Sequence, residues 1–254
     1  MVCTTALWSF AAIRYVSPSG SDSNDGTSWA NAKATIMAAV NASASGDEVY
    51  IAAGTYNEAI TGKDGVSLRG GYNPATGARD IDNLKTIIDG TNLGKPVVKF
   101  SSNCKAVTTV EGLILQNADH TENGGGAYIR GNVIMERCTV RNCKGAAGGG
   151  ICAAGGEDKI SRINHCIIEL CESTSDGGGV FLMTHTVMDG CIVRGCDGKY
   201  AAVVVGNDNN TPGCILQNTV IHRKSNAYQN VTKLSTFILI QAKIWQCYIL
   251  VISL

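Results

Sequence analysis

Glu136 and Asp189 each stand two residues before a cysteine, Cys138 and Cys191, and Asn164 holds the same place before Cys166. Paired carboxyl groups are the chemistry of glycoside hydrolysis, at roughly 5–5.5 Å for retention and 6.5–9.5 Å for inversion. If each copy is one strand of a stack, Glu136 and Asp189 lie two strands apart, at about 9.6 Å, which would suit an inverting pair. They are the candidate catalytic residues. A lyase would instead need a base for the proton α to a uronate carboxylate, with Ca²⁺ or an arginine to neutralise that carboxylate. Glu169, Asp176 and Asp197 complete no cluster of three acids with a Lys or Arg placed beside it. The expectation is a chain without an evident catalytic constellation, more a binding protein than an enzyme.

Other polar residues recur at fixed offsets. Arg141, Glu169 and Arg194 each follow a first cysteine by three residues, while Arg137, His165 and Gly190 directly precede one. Alternating charge suits a stack, in which opposite charges on neighbouring strands attract and like charges repel. Arg137, Arg141, His165, Glu169 and Arg194 are the candidate glycan ligands, expected to project from adjacent coils on one face. Near the N-terminus, Asp22, Asn24 and Asp25 beside Gly26 supply hard oxygen donors and make Ca²⁺ a candidate cofactor. Their spacing is not that of an EF-hand, and the same residues make ordinary turns. No other cofactor is expected.

What must position these residues is a repeat. Cys138–Cys143, Cys166–Cys171 and Cys191–Cys196 each bracket an apolar strand, and the first cysteines are 28 and then 25 residues apart. Triple glycines stand at 124–126, 148–150 and 177–179. A period in the twenties means stacked supersecondary units. Met135, Ile163 and Met188 align three residues before the first cysteine, and Val140, Ile168 and Val193 two residues after it. Cysteine and aliphatic share a face, the period-two pattern of a strand. A fourth copy is read with Ile215 and Val220 in these columns and Asn218 at the cysteine. An earlier one is read with Ile114 in the valine column and Asn117 at the second cysteine. No long helical pattern separates the copies, so each is a coil of short strands and tight turns. The fold class is all-β: a right-handed parallel β-helix, with Ala30–Ala42 as a short N-terminal helix capping the open end.

Ala38–Tyr56 carries a helix end, Gly46-Asp47, a β-branched strand and Ala53-Gly54-Thr55-Tyr56. This resembles the opening of the pectate-lyase-like right-handed parallel β-helix superfamily; Gly65–Tyr72 and Thr86–Gly90 fit the next coils. The middle copies resemble those of polymorphic outer-membrane proteins and related Bacteroidetes surface proteins. Gly125-Gly126-Ala127 and Gly149-Gly150-Ile151 match one mark of those repeats, and Ile114-x-x-Asn117 the other, with Ile for Phe. Cys143, Cys171 and Cys196 depart from it by replacing the asparagine. The resemblance spans about residues 15–225 and implies the fold; the function it implies is a secreted, cell-surface or outer-membrane protein.

Charge and composition bound the rest. With 21 basic and 21 acidic residues there is no electrostatic footprint for nucleic acid. Residues 1–12 are read as the remnant of a signal peptide, and 13–231 as one β-helix domain, clearest at 110–225. The tail 232–254 is atypical and apolar, read as truncated or frame-shifted, and is too interrupted by Gln241, Lys243 and Gln246 for a membrane span. Eleven cysteines are read either as thiols packed in columns or, in an oxidising compartment, as disulfides between coils. The expected function is adhesin-like or glycan-binding, with a polysaccharide or host-surface ligand as partner. The alternative is a lyase or hydrolase of an extended, uronate-containing polysaccharide.

Overall fold

The computed structural model describes residues 11–156, 158–199, 201–205, 214–223 and 237–238. Most of the apolar stretches at 1–12 and 232–254 lie outside the described residues. The chain winds into a parallel β-solenoid with one helix. A twelve-stranded sheet has two arms, joined where Val98–Glu111 and Ala127–Glu136 run from one to the other; an eight-stranded sheet makes the third side.

Inward residues pile into columns. Val49, Leu68, Val110, Met135, Ile163 and Met188 register one upon the next in the first sheet. Ile88, Leu115, Val140, Ile168 and Val193 do so in the second. All are at most 1% exposed. Fully burying each such side chain contributes about 1.5–3 kcal/mol, so aliphatic ladders can fill a core that has few aromatics. The glycine turns arise from close approach: a Cβ on Gly149 would lie 1.9 Å from the Glu172 carbonyl oxygen of the next coil.

The flanking copies register one residue away from the sequence reading. Leu115, not Ile114, pairs with Val140, and Ala118 falls in the column of Cys143. At the other end Leu216 and Ile221, not Ile215 and Val220, continue the inward columns, and Thr219 takes the cysteine place. The asparagines explain the slip. Asn117 (φ 60°) and Asn218 (φ 48°) occupy left-handed corners, where asparagine is tolerated, aligned with Asn142 and with Arg137, His165 and Gly190. A shift of one residue exchanges inward and outward side chains, so burial decides the register.

The helix is Ile36–Ala42, shorter than the 30–42 expected. Residues before it are drawn into backbone bonds with the first strand, Ile13–Val16: Ser17 N donates to Lys33 O at 2.9 Å and Lys33 N to Tyr15 O at 2.9 Å. Carboxylates hold the helix start. Glu58 accepts from the amides of Ile36 and Met37, and Asp22 from those of Ala34 and Thr35. Ile36, Ala39 and Val40 are buried on the core.

Candidate functional site: an outward column of aromatic and ionic side chains

Outward residues also stack. Along the first sheet one column runs Tyr15, Tyr50, Arg69, Glu111, Glu136, Asn164, Asp189, Gln217. Tyr50 alternates with inward Val49 and Ile51, and Glu111 follows inward Val110, so strand parity alone turns these side chains outward.

At its N-terminal end the column is aromatic. Tyr50 stacks on Tyr72 with centroids 4.4 Å apart and planes at 13°. Tyr15 meets Trp29 edge-on at 4.8 Å, and Trp29 lies 5.8 Å from Tyr72. Burial pushes the Tyr50 and Tyr72 hydroxyls above the usual phenol range, with their mutual hydrogen bond contributing to the rise at Tyr72. The Arg79 guanidinium sits 5.5 Å from the Tyr72 centroid and leads into the ionic part.

There Glu111 is the hub. Its Oε2 accepts from Arg69 Nη1 at 2.5 Å and Arg79 Nη1 at 3.1 Å, and its Oε1 from Arg137 Nη2. Arg69 also donates through Nε to Glu48 at 2.8 Å. The Glu111 side chain is only 8% exposed. Burial alone would raise its pKa, but the Arg137 hydrogen bond and the charges of Arg79 and Arg69 outweigh that and hold it below the usual carboxylate range. Three arginines thus converge on one glutamate, a cluster that the sequence reading did not single out.

Glu136, one rung on, accepts from His165 Nδ1 at 2.9 Å and Asn164 Nδ2 at 3.1 Å. Asp189 accepts from Asn218 Nδ2 at 2.9 Å. That bond and one from Gln217 lower its pKa, outweighing its slight burial; the nearby His165 adds to the effect. Asn164 stands between the two acids, as the repeat implied. Each carboxylate is therefore bridged by amides along the stack, and Glu136 orients an imidazole rather than facing Asp189.

The glycan candidates divide between two sheets. Arg137 and His165 occupy consecutive left-handed corners beside this column, with φ of 48° and 50°. Arg141, Glu169 and Arg194 register as expected, but on the eight-stranded sheet. Arg194 clasps Glu169 through Nε at 2.8 Å and Nη2 at 2.6 Å. Arg141 turns the other way, to Gln116 Oε1 at 2.9 Å and 2.6 Å.

In the N-terminal loop each of the Ca²⁺ candidates makes side-chain hydrogen bonds within the chain. Asp22 bonds the helix start and Thr35 Oγ1; Asn24 Nδ2 donates to Ala32 O; Asp25 accepts from the amide and hydroxyl of Thr27. The Lys33 ammonium lies on the carbonyl oxygens of Asn24 at 2.7 Å and Asp22 at 3.2 Å. A cation there would have to displace that ammonium and the Asp22 and Asp25 turns, so the residues do not form a ready Ca²⁺ site.

The aromatic group and the Glu111 hub escape a reading based on the cysteine repeat. Tyr50 and Tyr72 both lay within recognised strands, and outward parity was an available signal for Tyr50. Tyr72 instead has the parity of inward Leu68 and reaches Tyr50 through the register shift that pairs it with Ala52. Trp29 and Arg79 come from a loop and a turn whose placement no spacing encodes.

No protein-family model matches the chain, and no curated protein matches it. Solved structures do. Pectate lyase Pel9A is similar with a TM-score of 0.57 at 16% identity, over 88% of this chain and 57% of that one. A pectin methylesterase from Aspergillus niger is similar with a TM-score of 0.54 at 17% identity, over 87% of this chain and 69% of that one. The chain thus spans little more than half the length of the lyase. At such identities the likeness is one of fold alone: the chain is a parallel β-solenoid, similar in winding to these two.

Proposed function

We propose that the chain is a carbohydrate-binding β-solenoid and that the column from Tyr15 to Asp189 is its binding face. The observation that carries this reading is continuity. The partly exposed rings of Tyr15, Trp29 and Tyr50 adjoin Arg69, Glu111 and Glu136 on consecutive rungs, with Arg79 and Arg137 joining from a turn and a corner. Aromatic faces accept the C–H faces of sugar rings, and guanidinium forks suit carboxylates and hydroxyls. A column about 4.8 Å per rung offers repeated contacts to an extended polymer. The similar structures named for pectate and pectin support a polysaccharide as the ligand class. The reading includes the helix as an N-terminal cap, a likeness to outer-membrane repeat proteins, and a secreted or cell-surface location, which cell fractionation tests.

The test is a titration with polygalacturonate and with neutral polysaccharides, measured by isothermal titration calorimetry. Trp29→Ala and Tyr50→Ala should each weaken binding by about three- to tenfold. Well-folded protein that binds none of the polymers would overturn the reading.

One observation favours cleavage as a second reading. Arg137 and His165 occupy consecutive corners, and Glu136 engages His165 Nδ1, leaving Nε2 as the nitrogen to act as base. On this reading new unsaturated ends appear during the same titration, and His165→Ala abolishes them without abolishing binding. Absence of new chain ends on every polymer tested would leave binding alone.

A further inference from the structure

The two cysteine columns have a property that neither binding nor cleavage uses. The first runs Leu113, Cys138, Cys166, Cys191, Thr219, and the second Ala118, Cys143, Cys171, Cys196. Each holds three thiols on consecutive rungs, all at most 1% exposed. The ladder thiols donate to backbone carbonyls of the preceding coil: Cys166 Sγ to Met135 O at 3.7 Å, Cys191 Sγ to Ile163 O at 3.3 Å, Cys171 Sγ to Val140 O at 3.8 Å and Cys196 Sγ to Ile168 O at 3.7 Å. Cys166 N also donates to Cys191 Sγ at 3.4 Å. Rungs about 4.8 Å apart bring adjacent Cα atoms within the 4.4–6.8 Å range of disulfides, whereas outer partners two rungs apart, at about 9.6 Å, exceed the 7 Å limit.

We propose that each column is an oxidation site that holds one disulfide, with the central cysteine, Cys166 or Cys171, as its obligatory partner. The oxidant is a low-molecular-weight disulfide such as oxidised glutathione. One ladder thiolate attacks it and expels a small thiolate, leaving a mixed disulfide. The adjacent ladder thiolate then attacks the protein sulfur and expels the second small thiolate. Two protein thiols have lost their protons and been oxidised, and one small disulfide has been reduced to two thiols. The third ladder thiolate can attack the central sulfur in turn. Attack by Cys191 on Cys166 of a Cys138–Cys166 bond releases Cys138 and moves the bond one rung. Because the sulfurs are buried, exchange takes place as the coils close during folding.

The full chain is refolded in mixed reduced and oxidised glutathione, alkylated, and mapped as peptides by mass spectrometry. Expected links are Cys138–Cys166 or Cys166–Cys191, and Cys143–Cys171 or Cys171–Cys196, one per ladder. The double variant Cys166→Thr with Cys171→Ala takes its replacements from the same columns, at Thr219 and Ala118, and should lose every ladder link. Cys138→Thr with Cys143→Ala should keep one per ladder. Wild-type protein with all six ladder cysteines alkylated overturns the proposal, as does any Cys138–Cys191 or Cys143–Cys196 link. If the central variant does not fold, the wild-type map decides alone.

Discussion

The coils from Cys138 to Cys196 and those from Tyr15 to Glu111 share one winding plan but differ in how their outward side chains meet. In the cysteine coils, strands and corners supply nearly everything, and partners pair rung by rung: Arg194 with Glu169, Asn164 with Glu136, Asn218 with Asp189. In the N-terminal coils, a loop adds Trp29 and a turn adds Arg79 over the column, so side chains converge from several directions. Regular repetition yields ladders; insertion into it yields a cluster. The most repetitive part of this molecule has the simpler network of outward contacts.

Core truncation should strike the regular coils hardest. Ile168→Ala removes a rung from a fully buried column and should cost about 2–5 kcal/mol, read from the urea midpoint. A loss below about 1 kcal/mol would mean that the ladder repacks freely and is less rigid than its register suggests.

Glu111→Gln probes the convergent region. It leaves Arg69, Arg79 and Arg137 around a neutral amide, and should cost about 2–3 kcal/mol because the guanidiniums remain partly hydrated. Arg194→Ala, which breaks a single pair at an exposed arginine in the ladder region, should cost about 0–1 kcal/mol. Equal costs for these two variants would erase the distinction between cluster and ladder.

Acid sharpens the same contrast. The folded pKa of Glu111 is depressed, so its stabilising contribution is complete above the unfolded value of about 4.3 and is lost as pH falls through the folded value. Asp89 behaves alike: burial is outweighed by hydrogen bonds from Thr91, Gln116 and Asn117. Thermal melts across acidic pH should show a steep limb in wild type and a flatter one in Glu111→Gln.

The smallest effect is expected at a corner. His165→Gly relieves a positive φ, offsetting the lost bond to Glu136, and should shift stability by less than about 1 kcal/mol. A large destabilisation would make the imidazole a structural strut.

Much of the fold was legible because column membership is local information. Met135, Ile163 and Met188 stand at one offset from a cysteine, and their inward parity follows from a period of two. The same logic failed by one residue at Asn117 and Asn218, where a polar side chain was aligned with cysteine although it marks a left-handed corner. Only inter-coil hydrogen bonding and burial distinguish those two positions.

The sequence by itself determined that the chain winds as a solenoid, which aliphatic and cysteine side chains face inward in the middle coils, and that Glu136 and Asp189 are separated by Asn164. The tertiary structure alone decided what meets across the outward column. Tyr50 comes to register with Arg69 just before a shift of pairing between Tyr50 and Ala52, and Arg79 returns from a turn to Glu111. Strand parity repeats every two residues and can be read from spacing. Convergence of a loop, a turn and three coils depends on where irregular connections land, and that is set by packing.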